Sequence, residues 1–251
     1  MLGWKLFVRA VTLVTDHLPA ALRLSLLPYA AVVLVDAALT LRWPEAARNF
    51  DPATPPPAGF GGASLLALVV SLAASLWIAV NWHRYTLRGE PPRGWVPPLH
   101  GAHALRYLGR SMGVGLVVAA AVLIIGIVAA PFAAVIGPGV MAGVVPVAGF
   151  FVGLVLFYRL GLALPAAAVD APLNFGDAWR RTQGMTGPCA VLALLTAATA
   201  LLLQVPTILD GPDAGAVTVI YQAVAGWISL MVGVGTLSAL YGHLVEDWPV
   251  D

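Results

Sequence analysis

The chain has 251 residues, of which 60% are hydrophobic and 10% are charged, and its formal net charge at pH 7 is +1. Soluble domains average about 45–50% apolar and about 25% charged residues, so this composition excludes a soluble globular protein and indicates an integral membrane protein. The near-neutral charge identifies no partner, and we expect no nucleic acid among the partners. The single cysteine, Cys189, excludes an intrachain disulfide.

The N-terminal segment Met1–Leu18 predicts an amphipathic helix. Its apolar residues recur at helical spacing, its charged residues fall elsewhere, and Pro19 follows it. We expect this helix to lie in the plane of the lipid headgroups, and a soluble amphipathic tail is the alternative. The apolar residues near one face are Leu2, Leu6, Ala10, Leu13 and Val14.

Six apolar stretches are long enough to cross a membrane, which takes roughly 20 residues. They are too long and too unalternating for the strands of a membrane barrel. The sequence therefore predicts an all-α membrane protein, a six-transmembrane-helix bundle formed by residues 1–251 as one domain. The predicted spans are Leu24–Arg42, Ala63–Trp82, Met112–Pro131, Val144–Leu164, Pro188–Val205 and Val217–Tyr241.

Positive charges in the connections predict the orientation of the bundle. With the N-terminus inside, eleven of the 13 Lys and Arg residues lie on the inner side, and Arg42 and Arg48 lie outside. Both termini are therefore predicted to be cytoplasmic in a bacterial inner membrane. The inner residues are Lys5, Arg9, Arg23, Arg84, Arg88, Arg93, Arg106, Arg110, Arg159, Arg180 and Arg181.

Three polar residues form a candidate intramembrane site. Asp36 lies roughly 10 Å short of the outer end of the first span, and a carboxylate at that depth is a functional-site candidate. The alternative is a structural carboxylate that pairs with a hydroxyl or with Arg42. Gln204 and Gln222 also lie at some depth, and we expect them to form hydrogen bonds between helices.

Histidines near the inner side are the candidates for metal binding. His100 and His103 form an H-x-x-H pair, and His83 lies at the inner end of the second span. Zinc takes three or four ligands, and the first inner loop offers only Glu90 as a carboxylate. The pattern therefore favours interfacial histidines, and we predict no metal and no other cofactor. No nucleophile elbow, phosphate-binding loop, dinucleotide fingerprint or H-E-x-x-H motif is present, so no catalytic residue is predicted.

Small residues at a spacing of four predict close helix packing. Helices associate in lipid through small faces, either within one bundle or against a partner. The candidate packing residues are Gly109, Gly113, Gly139, Gly143, Gly149 and Gly153.

The segment Tyr158–Pro188 predicts a short interfacial helix between spans four and five. Asn174 and Asp177 form a capping-box pattern at its start, and Gly184 follows its end. We expect its aromatic side chains to lie among acyl chains and its arginines to face phosphates. The predicted surface for anionic lipid or for another membrane protein comprises Trp82, Arg84, Arg159, Phe175, Trp179, Arg180 and Arg181.

The stretch "YRLGLALPAAAVDAPLNFGDAWRRTQG" resembles an element of uncharacterised bacterial multi-span proteins. In that element an arginine, small apolar residues, a proline and an acid precede Ala-Trp, then Thr or Ser, then Gly. The families include the membrane domain attached to some glycerophosphodiester phosphodiesterases and the YciC-like inner-membrane proteins. "ALRLSLLPYA" and "VNWHRYTLRGE" also resemble pieces of alphaproteobacterial six-helix proteins. The resemblance implies a six-helix fold and no catalytic residues, and it does not include the phosphodiesterase barrel, so it implies no hydrolysis.

The sequence favours a non-enzymatic accessory, scaffold or assembly factor that acts through helix–helix contacts and a cytoplasmic interface. A carrier or channel for a small or amphiphilic solute is the alternative, with Asp36, Arg159 and Gln222 along its pathway. A membrane-embedded lipid enzyme that uses the three histidines is the second alternative.

Overall fold

The computed structural model of the protein describes residues 1–48, 54–210 and 215–249. It is 84% helical, and those residues include no β-strand. Six helices are long and apolar enough to cross a membrane, so the predicted all-α, six-span membrane fold is confirmed. The helices are α1 (Leu2–Asp16), α2 (Leu18–Arg42), α3 (Pro44–Arg48), α4 (Phe60–Arg88), α5 (Gly101–Ala129), α6 (Ala133–Ile136), α7 (Pro138–Leu160), α8 (Ala163–Ala168), α9 (Phe175–Arg181), α10 (Thr186–Asp210) and α11 (Ala216–Val245).

The spanning helices are α2, α4, α5, α7, α10 and α11, and most extend beyond their predicted bounds. A 3₁₀ turn links α5 to α6, so much of the predicted outer turn Pro131–Gly139 is helical. Gly137, with φ of +101°, provides the reversal, and Pro138 opens α7. The centre of the other predicted outer turn, Leu209–Ala216, lies outside the described residues, as do residues 49–53 of the first outer loop.

The predicted end of the fourth span at Leu164 is wrong, because α7 ends at Leu160. The chain passes very close to a neighbouring helix at Gly161. A Cβ built there would lie 2.9 Å from Leu237 Cδ2 on α11 and 2.5 Å from the backbone oxygen of Phe157. The Phe157 oxygen leaves no room for a Cβ, so this turn requires glycine, and the chain then starts a separate helix, α8.

Buried side chains concentrate at one end of the bundle, which we call the basic end because Arg84, Arg88, Arg106, Arg110 and Arg181 lie there. Helix α11 is central. In its most apolar stretch 56% of residues are buried, against at most 22% in any other span. The other spans expose large apolar side chains along their lengths, as expected for helices that face lipid.

Helix α1 closes the basic end of the bundle. Leu6, Ala10, Leu13 and Val14 are buried, as the amphipathic pattern predicts. Their face packs on α10 and α11, and the backbone oxygen of Ala10 lies 3.0 Å from where a Cβ on Gly235 would be. Protein, not lipid, therefore covers the apolar face of this helix.

Helix α8 is a short wedge of small residues inside the basic end. All six of its residues, Ala163–Ala168, are buried, and it contacts α4, α5 and α11. Small side chains let its backbone come close to these longer helices. This wedge positions the polar groups of the candidate site.

Candidate functional site at the basic end

Three arginines hold α8 by its backbone carbonyls. Arg84 Nη1 donates to the oxygen of Ala168 at 2.9 Å, and Arg88 donates to the oxygen of Val169. Arg110 Nη1 on α5 donates to a carbonyl at the start of α8 at 2.7 Å. Carbonyls at a helix C-terminus lack intrahelical partners and carry partial negative charge, so cations such as Arg84 and Arg88 are favourable there. Arg110 contacts the other end of α8, so the three arginines together hold this helix in the fold.

Asp170, which follows α8, accepts hydrogen bonds from two residues of α5. His103 Nε2 lies 2.6 Å from its Oδ2, and Arg106 Nη2 lies 2.6 Å from its Oδ1. Arg84 Nη1 is 3.8 Å from Oδ2. The hydrogen bond to His103, with that to Arg106, holds the pKa of the Asp170 carboxyl below its usual range. One carboxylate thus joins α4, α5 and the segment after α8.

Glu90 forms the second carboxylate contact. Arg84 donates to it through Nη2 at 2.5 Å and Nε at 2.9 Å, which is a bidentate pair. This contact lowers the pKa of Glu90. His100 Nε2 lies 3.9 Å from Glu90 Oε2, beyond hydrogen-bond distance, and burial lowers the pKa of His100. We call Arg84, Glu90, His100, His103, Arg106 and Asp170 the ionic cluster.

Helix α9 forms as the sequence predicts. The Asn174 side chain accepts from the Asp177 backbone N–H, and the Asp177 side chain accepts from the Asn174 N–H. Both halves of the capping box are therefore present.

Contacts with three helices fix α9 in place. The Arg159 guanidinium carbon of α7 lies 3.5 Å from the centre of the Trp179 ring, within the range of a cation–π contact. Arg181 Nη1 donates to the Leu244 carbonyl of α11 at 3.0 Å. Phe175 packs where a Cβ on Gly113 of α5 would be, 2.7 Å from its Cζ. Arg159 and Arg181, predicted to face lipid or a partner, thus contact the protein itself.

The outer side of α9 stays open. Arg180 is 68% exposed and pairs with Asp177 one turn earlier. Phe175 and Trp179 are each more than one third exposed. A cavity of about 230 Å³ adjoins the helix, with Arg180, Arg181 and Tyr241 in its lining. We call this exposed side of α9 with the adjoining cavity the α9 face.

Two residues predicted at the lipid or partner interface lie inside the protein. Trp82 is fully buried, and the Arg84 side chain is only 16% exposed. The reason is that α4 continues to Arg88, beyond the predicted end of the span at Trp82, so both side chains lie within the bundle.

His83 is also interior. Its Nδ1 lies 2.9 Å from Ser238 Oγ on α11, and its Nε2 lies 3.3 Å from the Tyr107 hydroxyl. His100 and His103 are neighbours, with ring centres 5.6 Å apart. Across the described residues, no three His, Cys, Asp or Glu side chains are arranged to hold a metal ion.

The structure brings two of the three candidate intramembrane residues together. Asp36 on α2 and Gln222 on α11 line one cavity of about 390 Å³, with Tyr29 beside them, whereas Gln204 is not in its lining. The Tyr29 hydroxyl donates to the Ala223 carbonyl at 2.8 Å. Asp36 is exposed and makes no hydrogen bond or ion pair with any described residue.

The predicted packing glycines fall into two groups. A Cβ on Gly153 would lie 3.0 Å from Val118 Cγ1, and one on Gly149 would lie 3.2 Å from Val122 Cγ1, so α7 packs tightly on α5 there. Gly113 contacts α9. For the other three, a Cβ meets no described atom within 4 Å, so the predicted packing is not formed inside this part of the chain. These three are Gly109, Gly139 and Gly143.

The sequence prediction missed how the arginines and Asp170 meet at α8. A signal was present, since Arg84 and Arg88, like Arg106 and Arg110, are four residues apart and share a helix face. Two such arginine pairs, at the same end of the neighbouring helices α4 and α5, indicate that both helices donate hydrogen bonds to one segment of the chain. The acceptors themselves are mostly backbone carbonyls, which leave no mark in a sequence.

The six apolar spans, of which α11 is the most buried, define a multi-pass integral membrane protein. No protein family, curated protein or solved structure matches the chain. The resemblance of residues 158–184 to the two bacterial families therefore stays a prediction.

Proposed function

We propose that this protein is a non-enzymatic accessory or scaffold protein of a bacterial inner membrane, with both termini in the cytoplasm. It acts through the α9 face, where it contacts a partner protein and anionic lipid. One observation carries this proposal. Contacts with three helices hold α9 in place, while its outer side stays exposed.

A fixed helix suits recognition because binding then costs little conformational entropy. Tryptophan and arginine are also the residues most enriched among those that dominate protein–protein binding energy. The α9 face presents Trp179 and Arg180 together, with Trp179 held by Arg159. The aromatic ring is therefore oriented before any partner arrives.

The distribution of charge supports contact with the cytoplasmic leaflet. Arginines of α4, α5 and α9 collect at the basic end, as the positive-inside rule favours for a cytoplasmic surface. Each arginine near an anionic leaflet contributes about 1 kcal/mol of attraction. The exposed Arg180 is the α9 residue that best fits this role.

Helix α7 offers a second contact surface, within the membrane. Gly139 and Gly143 are exposed, and no described atom lies near the position of a Cβ on either residue. Small faces of this kind allow another helix to approach closely in lipid. They support a helix–helix contact with a partner membrane protein.

Quantitative affinity purification in mild detergent tests the proposal. We expect the same membrane protein to copurify with the wild type and with Arg23→Glu, which changes an exposed arginine on α2. Arg180→Glu should reduce its recovery several-fold with an unchanged Tm. A wild-type protein that purifies alone, or equal recovery with both variants, contradicts the proposal.

A carrier of a small solute is the second candidate, because Asp36 and Gln222 line one cavity. In proteoliposomes, a carrier should show solute uptake that Asp36→Asn abolishes and that Gln204→Ala preserves. Uptake that is unaffected by Asp36→Asn contradicts this candidate.

A further inference from the structure

The proline-rich connector between α4 and α5 folds back along α4. The Pro98 carbonyl accepts hydrogen bonds from Trp77 Nε1 and Asn81 Nδ2, both at 3.2 Å. Trp77 precedes the end of α4 at Arg88 by three turns, about 16 Å along the helix axis. These two hydrogen bonds therefore hold the connector beside the apolar part of α4.

A cavity of about 310 Å³ lies between this connector, α4 and α2. That volume is at the lower end of the roughly 300–1,000 Å³ typical of small-ligand sites. Its lining combines apolar and polar groups, including Leu24, Asn81, Arg84, Glu90, Arg93 and His100. We call it the connector cavity.

The charges around the connector cavity favour an anion. Glu90 is neutralised by its bidentate contact with Arg84. Arg93 is exposed and makes no hydrogen bond or ion pair with any described residue. One guanidinium in the lining is therefore available to a ligand.

His100 supplies a second group, which lacks a hydrogen-bond partner among the described residues. Its Nε2 is buried and forms no hydrogen bond within the described part of the chain. Buried polar atoms without a partner are rare in folded proteins, and each calls for a specific explanation. A bound acceptor in the connector cavity would satisfy this nitrogen.

We infer that the connector cavity binds the phosphate group of an anionic phospholipid, with Arg93 and His100 contacting the phosphate. Arginine suits this role because its planar guanidinium matches phosphate oxygens in a bidentate arrangement. Pro91 and Pro98, with the buried Leu24 of α2, form the apolar part of the lining, where the acyl chains would begin. This apolar part favours a lipid over free phosphate, and the site does not depend on a partner at the α9 face.

Lipid retention by the purified full-length protein tests the site. The probe is phosphatidylglycerol in detergent micelles, with phosphatidylcholine as the zwitterionic comparison, and bound lipid is counted by native mass spectrometry. We expect the wild type to retain phosphatidylglycerol and Arg93→Ala to weaken its binding about tenfold, a loss of about 1.4 kcal/mol. His100→Ala, which removes the Nε2 donor, should weaken it as well, and an excess of inorganic phosphate should not displace the lipid.

An exposed arginine provides the matched control. Arg23→Ala changes an arginine outside the connector cavity, so it should retain phosphatidylglycerol as the wild type does. Equal retention by Arg93→Ala, His100→Ala and this control overturns the inference. Displacement by inorganic phosphate also overturns it, because the ligand would then be the free anion.

Discussion

Asp170 shows how one side chain organises the basic end. Its backbone adopts φ of +59°, a left-handed conformation that aspartate tolerates better than most residues. That turn leaves the carboxylate between His103 and Arg106 of α5, with Arg84 of α4 nearby. The side chain is half exposed, so water screens these contacts and limits the contribution of each.

The lowered pKa of Asp170 predicts a specific dependence of stability on pH. A carboxyl whose pKa is lowered by folding stabilises the protein fully above its ordinary pKa of about 4, and this stabilisation is lost as the pH falls through the folded-state value. The wild-type Tm in detergent should therefore fall between pH 5 and pH 3. Asp170→Asn should begin with a lower Tm at pH 7 and lose less over that interval. Parallel curves for the two proteins would contradict the assigned role.

Helices α8 and α9 differ in how far sequence could predict them. Helix α9 was predicted because its signals are local, with a cap at Asn174 and an acid three residues later. The sequence does not predict helix α8: its first two residues fall in the predicted fourth span and the rest in the connection that follows, because its separation depends on contacts that are distant in the chain. Examples are the contact between Gly161 and Leu237 and the hydrogen bonds that two arginines donate to carbonyls of α8.

The glycines of α7 give a prediction at the scale of helix packing. Leucine at position 153 would overlap Val118, and overpacking of this kind costs about 1–3 kcal/mol. Gly153→Leu should therefore lower the Tm in detergent. Gly143→Leu is the matched control on the same helix, since no described atom lies within 4 Å of its Cβ position, and it should leave the Tm unchanged. Similar losses in both variants would contradict the assigned packing.

At the scale of the whole bundle, the spans with the highest and the lowest burial have the lowest and the highest hydropathy. Helix α11 is the most buried span and has the lowest mean hydropathy, whereas α5 is the least buried and has the highest. Lipid is as apolar as leucine, so apolar length predicts which segments cross the membrane but not which neighbours they have. The polar residues Thr236 and Ser238, both buried, were the available sign that α11 is central.

The orientation of the molecule is tested by labelling single cysteines in intact cells. The positive-inside rule predicts that the basic end faces the cytoplasm. A membrane-impermeant maleimide should therefore label Thr54→Cys in intact cells and label Arg180→Cys only after permeabilisation. The native Cys189 is buried and should not react. The reverse pattern of labelling would contradict the proposed orientation.

The contact of α1 with α10 and α11 sets an order for biogenesis. The chain leaves the ribosome N-terminus first, so the surface that covers Leu6 and Ala10 does not exist until the last two spans have been inserted. Until then the headgroup region is the natural place for such an amphipathic helix. We therefore expect α1 to stay at the interface in the nascent chain and to dock on α10 and α11 in the last step of bundle assembly.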